Sequence, residues 1–238
     1  MDQQINKAKP ILVFIPGTLC TEAVFQPLLS HLDYPSISVR FTHQSTLAEM
    51  ANEVKSQIGE QPFIPFGFSM GGMVAFELIR QFESQIEGLC LLSSNCHADF
   101  PERAKGRQEH LVIAQNHSLT RLMKDVYLPV YFQNTDSEAA QLVVDMANEL
   151  GTETFKSQLQ VLSDRPDSLD ILKNFNKPSL VIGGKLDIPC PPEQQSVMAN
   201  ALTQSTLHLV DKAGHFALLE NPLEIATHIK NWVENHYA

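Results

Sequence analysis

No apolar run in this 238-residue chain approaches the roughly 18–20 residues that cross a bilayer. The longest strand-like run, Ile11-Leu12-Val13-Phe14-Ile15, stops at Pro16-Gly17. The first residues, Met1-Asp2-Gln3-Gln4-Ile5-Asn6-Lys7, lack the apolar centre and small-residue cleavage site of a secretory signal, so neither membrane nor export is expected. Basic charge is scarce: 17 Lys+Arg stand against 27 Asp+Glu, for a net charge of −10. Tracking a phosphate backbone needs clustered Lys and Arg, so nucleic acid is not expected as a partner. Cysteine is scarce too. Cys20, Cys90, Cys96 and Cys190 make no C-x-x-C pair and no zinc-finger spacing with histidine. They read as small buried hydrophobes in a reducing cytoplasm. Repeats of 20–50 residues and low-complexity segments are missing as well. With 43% hydrophobic and 18% charged residues, what remains is an ordinary globular protein.

What is present is a rhythm of short apolar runs, each followed by a segment with helical spacing. Strand 11–15 precedes helical spacing over 22–32, where Pro27 is tolerated only near the first turn. Ile37-Ser38-Val39-Arg40-Phe41 alternates as a strand, and a helix over 46–58 opens with the capping-box pattern Thr46-Leu47-Ala48-Glu49. Phe63-Ile64-Pro65-Phe66 continues the pattern, although Pro65 cannot donate to a sheet ladder. A helix over 72–82 and a strand over 86–93 follow. The rhythm then breaks: 97–175 holds only helical spacings, at 107–113, 119–126, 139–150 and 154–162. It resumes with a strand at 179–183, a helix at 192–202, a strand at 206–210 and a helix at 222–235. Such alternation predicts an α/β domain with a parallel sheet and helices on both faces. Its two parts, 1–96 and 176–238, are split by a helical insertion over 97–175, longer than a loop and placed to cap a site.

Gly67-Phe68-Ser69-Met70-Gly71 is a G-x-S-x-G between a predicted strand and a predicted helix. Composition alone yields about 0.04 chance occurrences, so the weight rests on that context. A serine on a tight strand-to-helix turn projects above the sheet edge, and the flanking positions must be small. The following helix points unpaired N–H groups at negative charge near Ser69. A hydroxyl needs a base. Of nine histidines, His215 alone follows the last strand in a loop, Asp211-Lys212-Ala213-Gly214-His215-Phe216, with Gly214 free to aim the ring. That loop leaves the carboxyl end of its strand, where α/β sheets place ligands. Asp187, just past the strand at 179–183, is the expected orienting acid. Asp211 competes with it, but lies four residues from His215 and suits the turn.

These segments make the chain resemble the α/β-hydrolase superfamily over nearly its whole length outside the insertion. The resemblance rests on Leu12-Val13-Phe14-Ile15-Pro16-Gly17-Thr18, Gly67-Phe68-Ser69-Met70-Gly71-Gly72, Gly184-Lys185-Leu186-Asp187, and Ala213-Gly214-His215 followed by Glu220-Asn221-Pro222. The stretch 146–170 resembles the cap of small bacterial esterase-like members, including those similar to 3-oxoadipate enol-lactonases. Two departures stand out. Pro16-Gly17 replaces the His-Gly of many relatives, and the family's N-terminal hairpin is expected to be absent, leaving about six parallel strands.

The resemblance implies a catalytic triad of Ser69, Asp187 and His215, with an oxyanion hole from the N–H groups of Thr18 and Met70. It implies a small-molecule acyl substrate, cleavage of an ester, thioester or lactone, and no metal or organic cofactor. Cofactor-free perhydrolase or haloperoxidase, C–C bond hydrolase and lyase chemistry share the same triad and stay open. Tyr127-Leu128-Pro129-Val130-Tyr131-Phe132 suits either an acyl pocket or packing between cap helices. Arg107 and Arg165 suit a substrate carboxylate, although a surface position is the ordinary expectation for arginine. Oligomeric state is not legible.

Overall fold

The alternating apolar runs pair into one sheet. In the computed structural model, which describes residues 10–237, its strands are β1 (Ile11–Ile15), β2 (Ser36–Ser38), β3 (Phe63–Phe68), β4 (Leu89–Leu92), β5 (Ser179–Gly184) and β6 (Ser205–Val210). Their order is β2-β1-β3-β4-β5-β6, and every neighbouring pair is parallel. The α/β class and the six strands are as expected. The expectations placed on residues 1–7, and on a hairpin ahead of β1, fall outside the described residues.

A 3₁₀ turn (Glu22–Phe25) leads into α1 (Gln26–Leu29), with Pro27 in its first turn; the helix expected over 22–32 is shorter than its apolar spacing. Helices α2 (Leu47–Ile58) and α3 (Met70–Phe82) follow β2 and β3. Between β4 and β5 come α4 (Pro101–Asn116), α5 (Leu119–Leu122), α6 (Leu128–Tyr131), α7 (Glu138–Asp164) and α8 (Leu169–Asn174). No strand interrupts them among the described residues. A π-helical turn (Met123–Tyr127) joins α5 to α6, where Pro129 has no N–H to continue an α-helical ladder. The helices expected over 139–150 and 154–162 are one element, α7, kinked at Gly151 (φ 80°, ψ 172°). α9 (Pro192–Ala201), α10 (Ala217–Glu220) and α11 (Pro222–Tyr237) complete the chain. No helix of the described residues is long and apolar enough to cross a membrane.

Because side chains alternate along a strand, each strand feeds two cores. Leu12, Phe14, Ile64 and Phe66 pack with Ile225, Ile229 and Trp232 of α11. Val13, Ile15, Leu89 and Leu91 pack with Val54 of α2, Val74 of α3 and Met198 of α9. Coverage on both faces explains why the central strands read as unbroken apolar runs. Each fully buried Phe or Leu contributes roughly 1.5–3 kcal/mol relative to exposure.

Pro65 sits in the central strand β3, against the usual rule. Register accounts for it. Phe63 bridges Ile86, and the ladder to β4 resumes only at Phe66 opposite Cys90, so the missing N–H falls in the gap.

The predicted capping box forms at the start of α2. Thr46 Oγ1 accepts the Glu49 N–H at 3.1 Å, and Glu49 Oε2 accepts the Thr46 N–H at 3.2 Å. Thr46→Ala is expected to cost about 1 kcal/mol, read as a lower urea midpoint with an unchanged slope.

Candidate active site

β3 ends at Phe68 and α3 begins at Met70, leaving Ser69 alone in the turn at φ 52°, ψ −115°. A non-glycine residue there stores about 1–3 kcal/mol and persists only where its surroundings hold it. Its N–H donates to Leu92 O at 2.9 Å, and its carbonyl accepts the Ser94 hydroxyl at 2.8 Å. Small flanking residues are required by contact. A Cβ on Gly71 would stand 2.0 Å from the Ile15 carbonyl oxygen, and one on Gly67 2.5 Å from that of Gly71.

His215 leaves the loop after β6 with its ring buried, its Nε2 3.0 Å from Ser69 Oγ. Its Nδ1 lies 3.0 Å from both carboxylate oxygens of Asp187, which follows β5 and is itself buried. Asp187 Oδ1 also accepts the Cys190 N–H at 2.8 Å, fixing the carboxylate's orientation. Asp211 is elsewhere. It is exposed and pairs with Lys185 at 2.5 Å, and that hydrogen bond lowers its pKa. Ser69, His215 and Asp187 thus meet, although 146 residues separate Ser69 from His215.

The inserted helices reach this group directly. Tyr131 stacks on the imidazole at 5.1 Å between ring centroids, and its carbonyl accepts the His215 N–H at 2.9 Å. That contact corrects the expectation for Gly214. A Cβ there would lie 2.3 Å from Tyr131 O, so the glycine is needed for close approach to α6 rather than for freedom to aim the ring. The loop after β1 is held from the insertion too: Gln158 Oε1 of α7 accepts the N–H of Leu19, whose φ is 55°, at 2.7 Å. Thr18 on that loop contacts Met70 through Oγ1 and Sδ at 3.7 Å. Among the described residues, no acceptor takes the backbone N–H of Thr18 or of Met70. Gln158 has no local signature in the sequence, since its partner lies 139 residues away.

Ser69 and His215 open onto a cleft of about 150 Å³. Tyr127, Val130 and Tyr131 line it, whereas Phe132 turns away and stacks on Phe216 at 5.2 Å. The six-residue run therefore divides between pocket and packing. Arg107 and Arg165 line the cleft as well, and neither is a surface residue: their side chains are 17% and 3% exposed. Arg103 and Asn95 join them, and neither stands out in the sequence. His110 is half-buried with its Nδ1 2.9 Å from the Tyr127 hydroxyl oxygen.

Glu220 supports the His215 loop, its half-buried carboxylate accepting the Gly214 N–H at 2.8 Å. Burial raises its pKa and Asp187 adds to the rise, against the pull of the Gly214 N–H. An acid whose folded pKa is raised loses stability as pH climbs from the unfolded glutamate value, about 4.3, through the folded one. Glu220→Gln keeps an acceptor without that loss and is expected to hold or raise the melting temperature at pH 7. Glu220→Ala orphans the N–H and should cost about 1 kcal/mol at the same pH. Thermal melts at pH 4 and pH 7 separate the two.

Comparison with known proteins agrees with this architecture. The family model described as alpha/beta hydrolase fold matches residues 30–222. A pimeloyl-[acyl-carrier protein] methyl ester esterase of Neisseria meningitidis is 25% identical over 228 residues, covering 92% of this chain and 84% of the relative. A Haemophilus influenzae protein assigned as a 2-succinyl-6-hydroxy-2,4-cyclohexadiene-1-carboxylate synthase is 26% identical over 244 residues, covering 93% and 96%. Among solved structures, a thermophilic esterase from Thermogutta terrifontis superposes with a TM-score of 0.86 at 21% identity, covering 98% of this chain and 92% of that one. The chain belongs to the alpha/beta hydrolase family.

Proposed function

We infer that this protein hydrolyses a carboxylic ester, thioester or lactone of a small molecule through an acyl-enzyme on Ser69. One observation carries the reading: a buried imidazole lies 3.0 Å from a strained serine hydroxyl on one side and 3.0 Å from a buried carboxylate on the other. His215 Nε2 takes the Ser69 proton as Oγ attacks the carbonyl carbon. Asp187 holds the ring by Nδ1–H and balances the imidazolium that forms. Negative charge growing on the carbonyl oxygen is met by the N–H groups of Thr18 and Met70, and losing one such donor costs about 10²–10³ in turnover. His215 then gives its proton to the leaving alcohol or thiol. Water, deprotonated by the same nitrogen, attacks the acyl carbon and frees Ser69. Residues 97–175 act as the cap that walls this chemistry off. Ester hydrolysis agrees with the esterases among the relatives, and the four buried free thiols suit a cytoplasmic enzyme.

The relative assigned as a synthase favours, as a second reading, lyase or C–C bond chemistry on the same three side chains. Turnover of simple p-nitrophenyl esters, independent of oxygen and peroxide, decides for the hydrolase. A fluorophosphonate probe is expected to label Ser69 alone; labelling that persists in Ser69→Ala overturns the assignment. Asp187→Asn should cut turnover by about 10⁴, because the amide favours the wrong imidazole tautomer, while Asp211→Asn stays within a few-fold of the native rate.

A further inference from the structure

The cleft onto which Ser69 opens carries more positive charge than its own fold uses. Arg103, Arg107 and Arg165 line it, and no Asp or Glu is among the lining residues. One carboxylate, Asp99, stands behind them with a side chain only 4% exposed. It takes Arg107 Nε at 3.1 Å and Nη2 at 2.6 Å, and Arg165 Nη1 at 2.8 Å. Arg165 spends its remaining inner donors on backbone, Nε on His97 O at 2.9 Å and Nη1 on Leu162 O at 2.5 Å. Arg103 has no carboxylate partner among the described residues; its guanidinium lies 5.8 Å from the Phe100 ring. Three cations against one anion leave two positive charges at this cleft, in a chain whose net charge is −10.

For the two inner arginines, Arg107 and Arg165, sharing one carboxylate is costly without a further counter-charge. Burial lowers the Arg165 pKa, and the neighbouring Arg107 and Arg103 lower it further against the pull of Asp99. If the cluster served packing alone, one arginine would satisfy Asp99. Instead Arg107 Nη1, Arg165 Nη2 and the whole fork of the exposed Arg103 take no acceptor among the described residues, and all three arginines line the cleft onto which Ser69 opens. Forked guanidinium donors match the two oxygens of a carboxylate better than any neutral group.

We propose that Arg103 and Arg107, backed by Arg165, form an anion subsite selecting substrates that carry a free carboxylate besides the bond to be cleaved. The proposal rests on the serine-hydrolase reading for the position of that bond. Arg103 and Arg107 both project from α4. The insertion would therefore read charge, while the sheet edge supplies the nucleophile.

The test compares kcat/KM for paired esters. With the carboxylate on the acyl side, the pair is p-nitrophenyl monoglutarate and p-nitrophenyl pentanoate; with it on the alcohol side, 4-carboxyphenyl acetate and phenyl acetate. The anionic member of at least one pair is expected to be favoured by about 10- to 100-fold, and less at high ionic strength, where the attraction is screened. Arg103→Gln should lower that ratio about tenfold, and Arg103→Lys should keep most of it. Arg107→Gln should act likewise, provided circular dichroism shows the fold intact. A ratio near one in both pairs, or a ratio unmoved by Arg103→Gln, overturns the subsite. Fluorophosphonate labelling and turnover of the neutral esters report separately on the hydrolase reading. Should those fail, calorimetric binding of glutarate to Ser69→Ala still decides the subsite. Binding weakened by Arg103→Gln supports it, and no binding overturns it.

Discussion

The geometry of the cleft depends on His215 being held from three directions at once. Asp187 fixes its Nδ1, Ser69 meets its Nε2, and the carbonyl of Tyr131 takes its backbone N–H. Imidazole and carboxylate are both buried, so neither has water to replace a lost partner, and the arrangement is rigid for that reason. Rings of Phe68, Tyr131 and Phe216 wall the imidazole at 5.1–5.5 Å, which restricts it to the plane shared by its two partners.

A parallel sheet makes this meeting possible. All six strands point the same way, so the loops after β1, β3, β5 and β6 emerge along one edge. Thr18, Ser69, Asp187 and His215 lie on those four loops. Order within the sheet then brings residues far apart in the chain to within hydrogen-bond distance. Ser69 is thrown above the edge by a turn too tight for any side chain at Gly67 or Gly71.

The helices between β4 and β5 contact the site directly. Tyr131 of α6 and Gln158 of α7 hold the loops carrying His215 and Leu19, and α4 and the end of α7 bring arginines to the cleft. Arg40 ties the same helices to the sheet domain through Glu22 and Glu149, at 2.6 Å each. These exposed pairs contribute little energy, about 0.2–1 kcal/mol each, so the insertion is seated mainly by its apolar contacts. Leu111, Leu122 and Phe155 share one continuous core with Phe14 and Phe66.

Local chemistry was legible in the sequence wherever one segment carries its whole reason. The G-x-S-x-G turn, the capping box at Thr46 and the short apolar runs of the central strands each depend on neighbours a few residues away. Ser69, Asp187 and His215 could be singled out because each follows a strand, and strand ends are local features. Tertiary structure alone decided what depends on partners distant in the chain. Pro65 sits in a central strand because register opens a gap opposite it. Gly214 is set by a carbonyl of α6, and Gln158 by a backbone N–H 139 residues away. Arg107 and Arg165 look like surface residues in composition, and only packing around Asp99 draws them inward. Short-range sterics and hydrogen bonding are written in adjacent residues, whereas burial and charge balance exist only once distant segments have closed on each other.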